Sequence, residues 1–155
     1  MVGKIEARLT ELGIELPDAP APAANYVPYV VVGDMVYVSG QISKDAGGLI
    51  CGKLGDDTSV EQGIAAARVC GLSLIAQLRE ACGGDLDRVV QIVKLGGFVN
   101  ATLDFTDHPA VINGASDLMA EVFGDIGAHA RAAVGCASLP LGVAVEVEGI
   151  FQISM

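Results

Sequence analysis

An α+β sandwich, in which a mixed β-sheet carries two main helices on one face, follows from three features of this 155-residue chain. Val-, Ile- and Tyr-rich runs with period-2 alternation mark strands near both ends and in the middle. Two longer stretches with apolar residues at helical spacing lie between them. The resulting order, ββ-α-β-α-ββ, segregates helices from strands, which is the pattern of helices packed on one side of a sheet. The length suits one domain with its own core. Residues 1–24 are expected to form a helix and Pro-rich arm, and residues 25–155 the single domain.

Taken in order, residues 3–13 place Ile5, Leu9 and Leu12 on one helical face, and Gly13 ends the pattern. Pro17, Pro20 and Pro22 then keep the chain extended. Residues 29–32 and 35–40 flank a Gly33-Asp34 turn as a hairpin, and the glycine-punctuated stretch 44–57 reads as a loop. Thr58-Ser59-Val60-Glu61 is a capping box, followed by a helical stripe of Val60, Ile64, Ala67, Gly71, Leu74, Leu78 and Cys82, with Gly71 letting the helix sit close on the sheet. Gly83-Gly84 stops it. Residues 89–99 form a strand with an irregularity expected at Gly96-Gly97. Asp107 caps a second helix with Pro109 in its first turn and Val111, Ala115, Leu118 and Val122 as its buried stripe, closed by Gly124 or Gly127. Strands at 131–138 and 143–153, joined by the turn around 139–142, complete the set.

Composition narrows the function. Nine basic against nineteen acidic residues give a formal charge of −10 without any Lys/Arg cluster, a surface that repels nucleic acid. Cys51, Cys70, Cys82 and Cys136 show no ligand spacing and stand far from His108 and His129, so no zinc site is expected. The start of the chain is polar and amphipathic, and no apolar run is long enough for a membrane span, so a cytoplasmic protein with reduced thiols is expected. Mean hydropathy is +0.52, high for a small domain, and the excess apolar surface points to an interface between subunits.

In the last two strands, Val143, Val145 and Val147 alternate with Ala144, Glu146 and Glu148, and Arg131 stands on the strand before. A guanidinium fork can hold a small anion while a nearby acid moves a proton. The same two side chains also suit plain roles, Arg131 as a partner for a carboxylate at a subunit seam and Glu146 as a wet strand residue. His129 is a candidate for the mouth of a cleft, His108 a helix-start residue, and Cys70 and Cys82 small core residues.

The pieces Val27-Pro28-Tyr29, Val36-Tyr37-Val38-Ser39-Gly40-Gln41-Ile42, Asn113, Arg131, Ala137-Ser138-Leu139-Pro140 and Val145-Glu146-Val147-Glu148-Gly149 resemble, in order and spacing, the Rid (YjgF-type) family of enamine/imine deaminases. The resemblance runs from about Pro28 to Phe151, with the N-terminal arm as an addition to the family's usual length. It implies a chorismate-mutase-like fold and a homotrimer with sheets facing inward and three clefts between subunits. Each cleft would hold a small carboxylate, hydrolysed without cofactor from 2-enamine or 2-imine acid to 2-keto acid and ammonia. By the same resemblance Arg131 binds the carboxylate, Glu146 orients or activates water, and Tyr29, Ser39 and Asn113 line the cleft. Ala133 stands where active relatives usually carry a cysteine, and Gly135 where the common pattern has a glutamate, which suggests a reshaped pocket. A larger enamine acid such as 2-aminomuconate, or a non-catalytic trimeric carboxylate binder, would use the same cleft. Ribonuclease activity attached to some relatives finds little support in so acidic a chain.

Overall fold

The structure is a computed structural model that describes residues 1–22 and 24–155; Ala23, inside the expected arm, lies outside the described residues. Helix α1 (Lys4–Glu11) ends at Gly13, whose φ of +69° suits a residue without Cβ. Its first N–H groups are capped from afar: Asp87 accepts from Lys4 N and Ile5 N, each at 2.8 Å. Those two bonds hold the Asp87 carboxyl below the usual carboxylate range. Leu9 is buried, Ile14 and Leu16 pack against the core, and Gln77 Nε2 donates to the Pro20 carbonyl at 2.7 Å, which fixes the arm along the next helix.

Strands β1 (Tyr29–Val32) and β2 (Met35–Ile42) form the expected hairpin, with Gly33 at φ +62° in its turn. β2 runs two residues further than its alternation suggests because a register shift between Val38 and Gln41 absorbs the break in pattern. The stretch read as a loop contains a small ribbon, β3 (Lys44–Asp45) with β4 (Gly48–Leu49). Helix α2 (Val60–Ala81) has its capping box one residue later than expected. Ser59 Oγ accepts from Gln62 N and Gln62 Oε1 accepts from Ser59 N, while Thr58 Oγ1 is taken by Asp57.

Strand β5 (Val89–Asn100), helix α3 (His108–Phe123), strand β6 (Ala130–Cys136) and strand β7 (Val145–Ile153) follow. The main sheet has the order β1-β2-β7-β5-β6, antiparallel except for the parallel β5–β6 pair. The two strands at the end of the chain are therefore not neighbours, since β5 lies between them. The fold is chorismate-mutase-like, as the resemblance implied, with α2 and α3 on one face of a mixed sheet.

Three local expectations are corrected. β5 keeps register through Gly96 and Gly97, and its shifts fall instead between Val89 and Gln91 and between Ile92 and Lys94. Gly97 serves packing, since a Cβ there would meet Ile112 at 2.6 Å. Asp107 sits at the N-cap of α3 but makes no side-chain cap bond; Pro109, which needs no N–H partner, eases that start. Gly71 faces α3 and not the sheet, where a Cβ would meet Leu118 at 2.9 Å.

α2 is buried on two sides, and its helical spacing alone could not tell the sheet side from the α3 side. Ile64, expected in the buried stripe, is 36% exposed. The tightest point of the helix pair is Gly114, where any Cβ would overlap the Ile64 carbonyl. Gly114→Ala should therefore destabilise the chain by about 1–3 kcal/mol. Urea melts should show a lower midpoint at unchanged m-value, and an unaltered midpoint would refute this packing.

Candidate active site

Arg131 is the second residue of β6 and pairs in register with Leu95, which is fully buried. Residues level across a sheet point to the same face, so Arg131 turns toward the helices. There it meets α3. Nη1 donates to Asn113 Oδ1 at 2.7 Å and to Ser116 Oγ at 3.2 Å, and Nη2 makes a long contact of 3.5 Å with the Pro109 carbonyl. Pro109, Asn113 and Ser116 recur at helical spacing along the α3 face opposite the buried stripe. The ion pairs among the described residues are Arg8–Glu11, Arg68–Glu121 and Arg79–Glu6, so Arg131 is held by neutral acceptors and keeps its full charge.

Ala133 and Gly135 continue the same face of β6 toward its C-terminal end. A Cβ at Gly135 would overlap His108 Nε2, so the imidazole occupies the place of a side chain there. Beyond it a cavity of about 200 Å³ is lined by Thr102, Phe105, His108, Cys136 and Ala137. Phe105 stands edge-on to the His108 ring, centroids 5.3 Å apart.

Glu146 belongs to the opposite face. Val145 and Val147 are fully buried against the helices, which turns Glu146 and Glu148 outward. Half-burial, then the neighbouring Glu148 carboxylate, raise the Glu146 carboxyl above its ordinary range. Its carboxylate fills the space over Gly40, where a Cβ would overlap it, so a side chain at that position of β2 would displace the acid. Beside Gly40, Ser39 Oγ donates to the Val27 carbonyl at 2.8 Å. Tyr29 pairs with Val38 on β1 and packs partly against the core.

Within one chain the five expected residues thus fall into separate groups. Arg131 and Asn113 touch. Ser39 and Glu146 share the neighbourhood of Gly40, and Tyr29 lies on the adjoining strand. Arg131 and Glu146 are separated by two strand spacings, about 10 Å, by three residues along the register, about 10 Å more, and by the thickness of the sheet. Ser116 escaped the sequence reading although it shares the off-stripe face of α3 with Asn113, a signal that periodicity carries. Gly40 was legible only as part of its motif.

A larger cavity, about 840 Å³, lies elsewhere, between the arm, α2 and residues 40–46, with mostly apolar walls and Leu141 at its rim. Arg131 is not among its lining residues. Burial pushes the Cys70 thiol up, which suits an inert core residue. No three His, Cys, Asp or Glu side chains among the described residues are placed to hold a metal ion, and no helix is long and apolar enough to cross a membrane.

The raised Glu146 carboxyl sets a pH dependence. A folded-state value above the unfolded one means that the contribution to stability is fully present below the ordinary glutamic-acid value near 4.5 and is lost as pH rises through the folded-state value. Glu146→Gln should therefore be more stable than the parent at pH 7, with the gain vanishing below about pH 4. Urea melts across this range check it; a gain that is constant with pH, or that grows on acidification, would contradict the assignment.

Residues 6–150 match the family described as "YjgF/chorismate_mutase-like, putative endoribonuclease". The match begins inside α1, so this helix and the arm fall within the family's length and do not precede it. The chain is 51% identical to Protein TCP17 of Trypanosoma cruzi over 98% of this chain and 96% of that one. It is 31% identical to a 2-iminobutanoate/2-iminopropanoate deaminase of Dermatophagoides farinae, over 90% of this chain and 94% of the relative. The crystal structure of protein Atu1372 from Agrobacterium tumefaciens superposes with a TM-score of 0.89 at 44% identity, covering 97% of this chain and 92% of that one.

Proposed function

The chain belongs to the YjgF/chorismate-mutase-like family, and on that premise we propose that it hydrolyses small 2-enamine and 2-imine carboxylic acids to 2-keto acids and ammonia. The observation that carries the reading is Arg131, a guanidinium with no carboxylate partner among the described residues, presented at an edge strand by Asn113 and Ser116. The deaminase relative from Dermatophagoides farinae supports the reaction class.

An enamine acid tautomerises to its imine, whose carbon is already electrophilic. Arg131 takes the carboxylate in a two-pronged fork, with Asn113 beside it. Glu146 accepts a proton from water as the water oxygen bonds to the imine carbon, and the nitrogen takes up a proton. The carbinolamine then loses ammonia as the C–N bond breaks and the carbonyl forms. A carboxyl with a raised pKa suits a group that must both take and return a proton. The reaction calls on neither metal nor organic cofactor.

Because Arg131 and Glu146 sit on opposite faces of one sheet, the complete cleft joins two copies: Arg131 and Asn113 from one, Glu146, Ser39 and Tyr29 from the next. A homotrimer with sheets facing inward provides three such clefts. Exposed Val30, Val31, Val32, Tyr37 and Val134 give it apolar surface to bury. Ala133 leaves little bulk on β6 beside the anchor, while His108 fills the place over Gly135, and the altered outline favours a substrate panel that extends to larger enamine acids such as 2-aminomuconate.

Imine generated by a lyase in the presence of the protein should release keto acid faster than it does spontaneously. Arg131→Ala and Glu146→Gln should each lower kcat/KM about 100-fold or more. Co-refolding the two inactive variants in equal amounts should restore about a quarter of parental activity, since an intact Arg131 and an intact Glu146 then meet in one cleft in four. No recovery on mixing would place both groups in one chain. Keto-acid binding without turnover of any imine would leave a carboxylate-binding protein, not an enzyme.

A further inference from the structure

We propose that Ser116 and His129 are positioning residues that hold the Arg131 guanidinium in its binding orientation, an inference that rests on the reading of Arg131 as the carboxylate anchor. Ser116 Oγ lies 2.8 Å from His129 Nε2, and His129 Nδ1 lies 2.6 Å from the Gly127 carbonyl oxygen. A carbonyl only accepts, so Nδ1 carries the proton. In a neutral imidazole Nε2 then offers a lone pair. The Ser116 hydroxyl donates to it, and this turns the oxygen's own lone pairs toward Arg131 Nη1, 3.2 Å away. Each donor in the sequence Arg131, Ser116, His129, Gly127 finds an acceptor, and no member is left with two donors facing each other.

The far end of this relay is rigid. Gly127 is buried, and a Cβ on it would overlap the Met119 carbonyl, so the loop entering β6 is seated on α3. The guanidinium is thereby gripped both from the helix, through Asn113 and Ser116, and from the loop two residues before it in the chain. The grip also selects which N–H groups remain. Asn113 and Ser116 take the two hydrogens of Nη1, and Pro109 faces one of Nη2. Nε–H and the second Nη2 hydrogen form no hydrogen bond among the described residues. The Nε/Nη2 edge, which carries only the long Pro109 contact, is the edge left for a carboxylate. All three holding groups are neutral, so the anchor is oriented without its charge being cancelled.

The probe is pyruvate, a 2-keto acid of the product class, titrated calorimetrically into the full-length protein. Ser116→Ala and His129→Leu should weaken pyruvate binding about tenfold. KM should rise in the same proportion while kcat stays within about twofold. Ser116→Thr, which keeps the hydroxyl, and His129→Gln, whose amide oxygen can accept in place of Nε2, should bind within about twofold of the parent. A purely structural role would lower the melting temperature and leave the affinity of the folded protein unchanged, which would overturn the proposal. Nitrogen-15 NMR of the parent protein gives a check independent of any variant: His129 should be the Nδ1–H tautomer, and a proton on Nε2 would overturn the relay. If Arg131→Ala itself binds pyruvate like the parent, the anchor reading falls, and this outcome is distinct from failure of the relay alone.

Discussion

The parallel pairing of β5 with β6 is the constraint from which the rest of the molecule follows. Parallel neighbours cannot be joined by a tight turn, so the chain must leave β5, cross the sheet as α3 and return along β6. The crossover lays α3 over the edge strand it has just produced. Every inward side chain of β6 consequently meets α3, and the first large one is Arg131. α3 can lie so low only because α2 lies low against it, with Gly71 and Gly114 removing the side chains that would wedge the helices apart. A packing requirement in the middle of the domain thus sets the height of the groove at its edge.

The sheet also explains why the candidate site is divided. β6 and β7 both flank β5, one parallel and one antiparallel, and alternation along each strand commits its residues to a face. Register with Leu95 turns Arg131 inward, and burial of Val145 and Val147 turns Glu146 outward. No change of rotamer carries a side chain through a sheet. A cation for the substrate and an acid for the proton can share one cleft only if the edge of one copy is laid against the outer face of another. The outer face is equipped for this role, since it holds a half-buried carboxyl whose charge is disfavoured by burial and by Glu148.

The sequence disclosed this arrangement unevenly. Alternation and helical spacing located each strand of the main sheet and both main helices within a few residues, because burial on one face writes a period into the chain; the short β3–β4 ribbon, too brief for a period, read as loop. Contacts between elements leave no such period. Gly71 was legible as a close approach but not its direction, because α2 is buried toward both the sheet and α3. The capping box slipped by one residue because Thr58 and Ser59 are chemically equivalent candidates, and only Asp57, which engages Thr58, separates them. In the site, Arg131 stood out beside the carboxylate strand and gained its role through resemblance to a family motif, which alone brought in Asn113. Ser116 belongs to no motif, and His129, legible only as a candidate for the cleft mouth, gains a partner when the loop before β6 is seated on α3.

The charge balance bears on which anion the groove would take. A chain of net charge −10 repels anions at long range, but at physiological salt that field decays within about 8–10 Å. Long-range steering therefore works against a negatively charged substrate, and recognition must come from contacts made after arrival. Arg131 is suited to that task, because it is one guanidinium with its carboxylate-shaped fork open and its charge unpaired. One such contact can hold a small monoanion. It does little for a polyanion, whose phosphates need a row of cations, and the chain carries no Lys/Arg cluster. A single unpaired guanidinium at the edge of β6 thus suits a small monoanion better than an RNA strand.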